Sequence, residues 1–310
     1  MQQNKFLLID GHDHLHRSFY AFPNTLTHND DVVNAVYGFC SLLLSAINTL
    51  NPDYVVVAFD LSRKDLKRTE LFEDYKATRP KMAPELRESF VRQENKVKEL
   101  LKLLNIPVVT QVGFEADDII GSFAKRANSD FGSDAYIHTN DKDMLQLIDE
   151  HVFVCRPARN GNSAICWNQN EFVKEYGFQP INLIDYKSIK GDPSDNIPGV
   201  YGIGDVTAKK LIQEYKTLDN IYSNINEITP ISLKNKLEKN KDNAQISYKL
   251  ATINTSLDLG IEKNDLRWKN TYSEEFINML SEYNFKSLIN RYFSSKVPKL
   301  EENNPQLSLI

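Results

Sequence analysis

Short apolar runs that end on aspartate alternate with helical segments, and this alternation constrains the fold more than any other feature of the chain. The runs KFLLID (5–10) and YVVVAFD (54–60) are rich in apolar and β-branched residues, which is typical of buried parallel strands. IPVVTQV (106–112) and DAYIHT (134–139) have the same character. Helical patterns lie between these runs, at 32–50, 86–104 and 117–127. This order predicts an α/β fold with a mainly parallel central sheet and helices on both of its faces.

The acidic residues concentrate where such a sheet carries its function, beyond the carboxyl ends of its strands. Asp10 and Asp60 end two predicted strands, and other acids lie in the tight clusters EADD, NDKD and GDPSD. The candidate set comprises Asp10, Asp60, Glu115, Asp117, Asp118, Asp141, Asp143, Asp192 and Asp195. Like charges about 4 Å apart repel by roughly 4 kcal/mol at an effective dielectric constant of 20. We therefore expect cations among these carboxylates.

The chemistry of the donors indicates which cations these are. Sets of oxygen ligands suit hard cations such as Mg²⁺, with Mn²⁺ as the alternative. Two such ions can hold the attacking and leaving oxygens of a phosphodiester in line. A single aspartate is more often a helix cap, and an acidic pair at a helix start is favoured by the helix dipole without any metal. Helix capping explains each acid alone but not nine acids at one edge of a sheet, so the sequence predicts a site for two divalent cations.

The pattern changes from about Ile181, where strand signals stop and short helices with Gly/Pro turns follow. We expect a core of residues 1–190, a helical region of residues 191–293 and a polar, flexible tail of residues 294–310. The start of the chain carries no secretory signal pattern, and no apolar run approaches the roughly 20 residues of a membrane span. The three cysteines show no CxxC spacing, so we expect free thiols in a reducing cytoplasm.

Long stretches of the chain resemble the 5′-nuclease domain of bacterial DNA polymerase I and related flap endonucleases. The matching text is LLIDG, VVAFD, LFEDYKATRPKMAPEL, GFEADDIIGSFA, TNDKDMLQL, KSIKGDPSDNIPGVYGIGDVTAKKLI and ISYKLATINTSLDL. The resemblance runs from about Lys5 to Tyr292. It implies a PIN-like α/β core, a helical arch at about 61–100, and an all-α C-terminal region that contains a helix–hairpin–helix.

The resemblance also implies roles for individual residues. In the family, acids at these nine positions bind two divalent metals. A tighter first site would be formed by Asp10, Asp60, Glu115, Asp117 and Asp118, and a second by Asp141, Asp143, Asp192 and Asp195. From the arch, Lys76 and Arg79 would stabilise the charge that develops on the scissile phosphate, and Tyr75 would stack on a terminal base. Arg17 would contact a phosphate, with a surface salt bridge as the alternative explanation.

The segment GVYGIGDVTAKKLI resembles the family's helix–hairpin–helix. Gly202 and Gly204 would let the backbone approach a phosphate, and Lys209 and Lys210 would extend the contact. A dinucleotide site is disfavoured because no strand precedes these glycines and the GxGxxG motif is incomplete. The family's hairpin also binds a potassium ion through its carbonyls. The net charge of −5 does not argue against DNA, because the nine acids account for it and the rest of the chain is mildly basic.

Three histidines depart from the family pattern, which has small polar residues after DG. His12, His14 and His16 alternate along a predicted helix, where residues 12 and 16 share one face and residue 14 lies elsewhere. A transition-metal site is therefore disfavoured. At the other end of the chain, QLSLI resembles the peptide by which bacterial proteins bind the sliding clamp. We expect Gln306 to bond at the rim of a pocket that Leu307, Leu309 and Ile310 enter, and a chance apolar terminus is the alternative.

Together these features predict a stand-alone 5′-3′ exonuclease and flap endonuclease. Its expected substrates are DNA with 5′ flaps, nicks or 5′ ends and RNA–DNA primers, and its expected roles are primer removal and DNA repair. We expect a monomer in the bacterial cytoplasm, associated with the nucleoid and with no membrane contact. A non-catalytic DNA-junction-binding protein and a single-metal RNA nuclease of related fold are the alternatives. The intact carboxylate set speaks against the first, and the helix–hairpin–helix against the second.

Overall fold

A six-stranded sheet lies at the centre of the computed structural model, which describes residues 3–61, 66–157 and 164–294. The strands are β1 (Asn4–Asp10), β2 (Thr27–His28), β3 (Asp31–Val32), β4 (Tyr54–Ala58), β5 (Val108–Val109), β6 (Ser133–His138), β7 (Val152–Arg156) and β8 (Ile165–Trp167). The sheet order is β5-β4-β1-β6-β7-β8, and β2 pairs with β3 in a separate two-stranded sheet. Only β8 runs antiparallel to its neighbour within the large sheet. The predicted mainly parallel sheet is confirmed.

Helices cover the sheet and continue beyond it. In the core they are α1 (Gly11–Ala21), α2 (Asn34–Leu50), α3 (Lys67–Leu71), α4 (Pro84–Leu103), α5 (Ala116–Phe131), α6 (Gln169–Tyr176) and α7 (Leu183–Lys190). The later helices are α8 (Asp205–Tyr215), α9 (Leu218–Ser223), α10 (Ile231–Lys239), α11 (Lys241–Ala251), α12 (Glu274–Glu282) and α13 (Lys286–Tyr292). In the described part of the chain, the last strand ends at Trp167 and only helices and turns follow. Among these helices, none is both long and apolar enough to cross a membrane.

The central strand β1 shows why the sheet is a core element. Phe6 and Leu8 point into one apolar cluster, which includes α5, and Leu7 and Ile9 point into another, which includes α2 and α4. A strand that is buried on both faces needs a continuous apolar run, as KFLLI supplies. The parallel register pairs Ile9 with Val57 on one side and with His138 on the other. The residues that follow these positions therefore meet at one edge of the sheet.

The cysteine prediction was wrong for two of the three residues. The antiparallel register of β7 and β8 sets Cys155 directly opposite Cys166, and the structure joins them in a disulfide. Cys40 is a buried free thiol. The pairing escaped the sequence analysis because neither β7 nor β8 was predicted as a strand. Without the strands, nothing in the spacing of the cysteines indicates that they face each other.

The helical region packs onto the core through two apolar clusters, one that joins α8 and α9 to α5 and one that joins α12 and α13 to α2 and α4. Ile119 of α5 belongs to the same cluster as Leu211 of α8 and Ile221 of α9. Two further links are polar, because Gln146 and Ser122 bond the backbone of residues 251–257, just after α11. The segment that follows α11 is thus held against the same edge of the sheet as the acidic residues.

Candidate active site

The carboxyl edge of the sheet gathers the first of the predicted acids. Asp10 ends β1 and caps α1, accepting a hydrogen bond from the Asp13 amide at 2.9 Å. Its other oxygen accepts from the Thr139 hydroxyl, also at 2.9 Å, just after β6. Asp60 follows β4 and accepts from the Ala116 amide at the start of α5, at 2.7 Å. The ends of three strands and the starts of two helices therefore hold these two carboxylates.

Two of the acids, Asp10 and Asp117, lie near each other and near Asp141, and both have strongly raised pKa values. The pKa of Asp10 is raised to about 8, first by burial and then by the negative charges of Asp13, Asp60 and Asp141. Burial also raises the pKa of Asp117 well above its usual value, and Asp141 and Asp10 add to the effect. Asp141 accepts a hydrogen bond from the Asp143 amide at 2.8 Å, which fixes its side chain. Both shifts come first from burial, which penalises an ionised carboxylate, and then from the neighbouring acids.

Two other acids are balanced by Arg68, which the sequence analysis did not single out. The guanidinium of Arg68 donates to both oxygens of Asp118, at 2.7 and 2.8 Å, and to Glu115 at 2.7 Å. The amides of Asn254 and Glu115 also donate to Asp118, at 2.8 and 3.1 Å. Asp118 is fully buried, so in this conformation its oxygens serve the start of α5 and the arginine. Arg68 lies in the basic segment 61–81, but its spacing gave no reason to choose it over its neighbours.

Lys76, Arg79 and Tyr75 reach the acids from the segment between α3 and α4. The ammonium of Lys76 contacts Glu115 and lies 3.7 Å from Asp195, and Arg79 donates to Asp195 at 2.6 Å. Lys76 has a left-handed backbone (φ +57°), and its amide donates to the Asp195 carbonyl at 2.9 Å. Such a backbone is uncommon for a residue with a side chain and often occurs at functional positions.

The Tyr75 ring is not placed as predicted. It is buried against Ile184, Ile197 and Leu250, and its hydroxyl donates to Glu115 at 2.9 Å. A ring that is 3% exposed offers no face to a nucleic-acid base in this conformation. The apolar partners come from α7 and α11, which lie more than 100 residues away along the chain, so the sequence gave no sign of this burial.

Lys187 of α7 balances the remaining pair, and it too was missed. Its ammonium contacts Asp143 and lies 2.7 Å from Asp192. Burial raises the pKa of Asp143 to about 6, and Lys187 opposes that rise. Lys187 and the serine at position 194, which donates to Asp192 at 2.6 Å, hold the pKa of Asp192 below its usual value despite its partial burial. The predicted acids thus form one network: most of them share cations, hydroxyls or amides, and Asp117 is linked to it by the charges of Asp141 and Asp10, which raise its pKa.

The network accommodates divalent cations by the chemistry of its donors. Its ligands are carboxylate oxygens, which hard cations prefer, and a cation would favour the ionised forms of Asp10 and Asp117, whose pKa values burial raises. Within residues 3–61, 66–157 and 164–294, no group of three or more ligating side chains has closed around a metal position. Some carboxylate oxygens would have to turn toward a cation. These oxygens are now paired with four basic side chains, those of Arg68, Lys76, Arg79 and Lys187.

Arg17 lies at the margin of this network. It donates to the Asn140 side chain at 3.0 Å and to the Pro157 carbonyl at 2.9 Å. Asn140 in turn donates to Asp13 through both its amide groups, at 2.9 and 3.0 Å. Because the Asp13 amide bonds Asp10, a chain of hydrogen bonds joins the arginine to the central carboxylate.

The three histidines are separated as the helical spacing predicted. The rings of His12 and His16 both pack on Phe90, with centroids 6.3 and 5.1 Å from it. His14 is fully buried and lies 2.9 Å from His138, nitrogen to nitrogen. Burial lowers the pKa of His14 to about 3 and that of His138 well below its usual value. His14 and His138 are therefore a neutral buried pair.

The predicted hairpin lies between α7 and α8. Gly202 has a left-handed backbone (φ +81°), and its carbonyl accepts from Lys236 at 2.9 Å. Gly204 caps α8, and a side chain added there would meet open space. Lys210 is exposed, and Lys209 lies 3.5 Å from Asp205, one turn earlier. Gln306, Leu307, Leu309 and Ile310 lie outside the described residues.

Family models match nearly the whole chain. Residues 5–177 match the model described as 5′-3′ exonuclease, N-terminal resolvase-like domain, and residues 178–274 match the 5′-3′ exonuclease, C-terminal SAM fold. A 5′-3′ exonuclease of Aquifex aeolicus is 34% identical, and the alignment covers 98% of each protein. A DNA polymerase I of Caldicellulosiruptor bescii is 38% identical over 96% of this chain. The chain spans about a third of that polymerase's length, 34%.

Solved structures share the fold at lower identity. The D15 protein of T5, co-crystallised with metal ions, has a TM-score of 0.66 and 19% identity, and the match covers 81% of this chain and 90% of that one. Human GEN1 in complex with Holliday junction DNA has a TM-score of 0.56 and 15% identity, with 94% and 70% covered. At these identities the likeness concerns the fold.

Proposed function

Since the chain belongs to the 5′-3′ exonuclease family, we propose that it hydrolyses phosphodiester bonds near the 5′ ends of DNA, as an exonuclease and a flap endonuclease. The observation that carries this proposal is the gathering of carboxylates at the carboxyl edge of the sheet, where Asp10 is buried beside Asp60 and Asp141. A protein that only binds DNA does not need carboxylates there, because they repel phosphates. A hydrolase that recruits divalent cations does need them.

The cofactors that we propose are two Mg²⁺ ions, with Mn²⁺ as the alternative. Asp10, Asp60, Glu115, Asp117 and Asp118 would hold one ion, and Asp141, Asp143, Asp192 and Asp195 the other. Bound divalent cations supply positive charge for the scissile phosphate and a lowered pKa for the attacking water. We also propose a potassium ion at the hairpin carbonyls around residues 202–204, where the Lys236 ammonium now bonds the Gly202 carbonyl at 2.9 Å and shows that this carbonyl can accept a cation.

The chain's own residues would bind and orient the substrate. Lys76 and Arg79 would exchange their carboxylate partners for phosphate oxygens and stabilise the charge that develops there. Arg17, fixed by Asn140, would hold a neighbouring phosphate. Tyr75 would act through Glu115, whose oxygen it bonds. The start of α8 with Lys209 and Lys210 would hold the duplex by its backbone, since helix N-termini and lysines bind phosphates.

The wider role follows from the same chemistry. We propose DNA with 5′ flaps, nicks or 5′ ends and RNA–DNA primers as substrates, in primer removal and repair. We propose a monomer that acts at the bacterial nucleoid, with residues 306–310 binding a sliding clamp. The division into residues 1–190 and 191–293 remains part of the proposal, and the change from strands to helices after Trp167 supports it.

A cleavage assay with a matched substitution tests the function. Asp117→Asn removes one charge and keeps the shape of the side chain, so we expect hydrolysis of a 5′-labelled flap duplex to fall by a factor of about 10³ or more. Flap binding without divalent cations should stay within about threefold, because the shape of the side chain is kept and no basic side chain is removed. Wild-type protein that binds the flap but leaves it whole with Mg²⁺ or Mn²⁺ would identify a DNA-junction-binding protein instead. Parallel loss of binding and cleavage in Asp117→Asn would assign that residue a structural role.

A further inference from the structure

A groove of about 1420 Å³ runs along α2, on the face of the sheet that α1 and α2 cover only in part. Its walls are formed by residues between 17 and 22, at the end of α1, and by residues of α2 between 37 and 50, and its floor is formed by β6, β7 and β8. Arg291 and Tyr292 of α13 also line it. We call this the α2 groove. The proposed chemistry uses only one of its lining residues, Arg17.

The charge of the α2 groove differs from that of the rest of the molecule. The chain has 42 acidic residues in 310, yet among the described residues that line the groove there is no aspartate or glutamate. Two arginines line it, Arg17 and Arg291. A surface without acids in an acidic protein is open to a polyanion, because no like charge opposes its approach.

The groove also offers partners for bases and sugars. Tyr136 of β6 lines its floor and stacks on Phe153 of β7, with ring centroids 5.1 Å apart and the planes 17° from parallel. Ser41 and Ser45 of α2 present hydroxyl groups along one wall. The hydroxyl of Ser18 is buried at the wall of the groove and has no hydrogen-bond partner among the described residues. Aromatic rings beside donors and arginines are typical of surfaces that bind single-stranded nucleic acid.

The α2 groove begins where the candidate active site ends. Arg17 lies at this end and is tied through Asn140 and Asp13 to Asp10. The segment with Lys76 follows β4, on one side of β1, whereas the floor of the groove lies on the other side, at β6 and β7. A nucleic-acid strand that passes Lys76 and crosses the carboxylates would therefore reach the groove. The 17 residues of α2 give it a wall of about 26 Å.

We propose that the α2 groove binds single-stranded nucleic acid, namely the unpaired 5′ strand of the substrate beyond the bond that is cut. This inference rests on the proposed function, because it assumes that the carboxylate network acts on a strand with a 5′ end. Arg17 and Arg291 bind phosphates at the two ends, bases lie against Tyr136, and the hydroxyls of the α2 wall bond the backbone. The groove thereby favours long unpaired tails over short ones.

Binding of duplexes with a two-nucleotide or a twelve-nucleotide unpaired 5′ tail tests this proposal. The measurement is fluorescence anisotropy of the full chain without divalent cations, so that no cleavage occurs. Ser45→Glu places an acid in the wall of the groove, and we expect it to weaken binding of the long tail about tenfold. Binding of the short tail should stay within about twofold. Asn170→Glu is the control, because residue 170 is exposed in the first turn of α6, away from the groove, and should change neither.

Arg291→Gln provides a second variant that keeps the fold, since Arg291 is exposed on α13. We expect it to weaken binding of the long tail about threefold and to leave the short tail unchanged. If Ser45→Glu fails to fold by thermal unfolding, Arg291→Gln decides alone. Equal effects on both tails, or none on the long tail, would overturn the proposal. If the wild type shows the expected binding but cuts neither duplex with Mg²⁺ or Mn²⁺, the proposed function fails and the groove stands.

Discussion

A few basic side chains explain how so many carboxylates can fold into one site. Arg68, Lys76 and Lys187 each contact two acids, and each is mostly buried. Removing one partner of a buried ion pair costs about 3–5 kcal/mol, because the other charge stays behind. These residues therefore hold the fold together while the site is empty of substrate. The same ammonium and guanidinium groups can turn to phosphate when DNA brings its own negative charge.

Lys76 tests this exchange most directly. We expect Lys76→Met to lower the turnover of a flap duplex by about 10² or more, because the charge that stabilises the reacting phosphate is removed. Flap binding should change by less than about threefold, since Arg79 and Lys210 still meet the backbone. Lys67→Met is the control, because its ammonium lies over the Phe114 ring at 4.3 Å and not among the nine acids. A normal turnover in Lys76→Met, measured under single-turnover conditions, would remove Lys76 from the reaction.

The sequence indicated the acids but not their partners. Asp10 and Asp60 were predictable because a strand that ends on aspartate puts the acid at a known edge. Arg68 and Lys187 were not predictable. Arg68 contacts acids that lie 47 and 50 positions further along the chain, and Lys187 contacts acids that lie 44 positions before it and 5 after it, so both roles depend on how α3 and α7 pack. The buried position of Tyr75 was missed for the same reason. A side chain's partners across the fold leave no trace in its local spacing.

At the scale of elements, strands buried on both faces were the easiest to predict. β1 and β4 contain continuous apolar runs, β6 alternates before its buried end, and α2, α4 and α5 have clear helical periods. β7 and β8 were missed because β7 alternates only partly and β8 is three residues long at the edge of the sheet. The groove beside them, and the disulfide between them, were therefore also beyond prediction. The hairpin before α8 was recognised from its glycines and the motif around them.

The hairpin and α8 form the element for which DNA binding can be measured separately from cleavage. We expect Lys209→Ala with Lys210→Ala to weaken binding to any duplex, whatever its sequence, because these lysines would contact phosphates and not bases. The slope of log Kd against log salt should fall by about two units, one for each phosphate that a lysine no longer neutralises. Turnover of bound substrate should stay within about twofold.

The control for this pair is Lys174→Ala, on exposed α6. It should leave the salt slope unchanged. A double variant with the wild-type slope would show that α8 does not contact the duplex. A double variant that binds normally but turns over slowly would place these lysines near the reaction instead.

At the scale of the whole molecule, the acids at the carboxyl edge of the sheet couple the free energy of unfolding to the ionisation of Asp10. The fold keeps Asp10 buried among other acids, so its carboxylate is costly to ionise in the absence of a cation. The free energy of unfolding is therefore lower under conditions in which Asp10 is ionised. The protein thus gives up stability in order to keep a site that can bind a cation. A protein built this way should become more stable when its cofactor binds, because a ligand that prefers the folded state stabilises it by mass action.

Thermal unfolding from pH 4 to pH 8 tests this coupling. The pKa of Asp10 is raised to about 8 in the folded chain, whereas the unfolded value is near 3.9. Between these values the folded state holds more protons than the unfolded state, so the stability of the metal-free protein should fall as the pH rises. Asp10→Asn stays neutral, and we expect its Tm at pH 8 to exceed that of the wild type by about 5 °C or more, with the difference vanishing near pH 4. Mg²⁺ should raise the Tm of the wild type at pH 8 and that of Asp10→Asn much less.

Asp242→Asn, exposed on α11, is the control and should follow the wild type throughout. If the Tm of Asp10→Asn stayed below that of the wild type at every pH, Asp10 would be a stabilising cap of α1 and not the centre of a cation site.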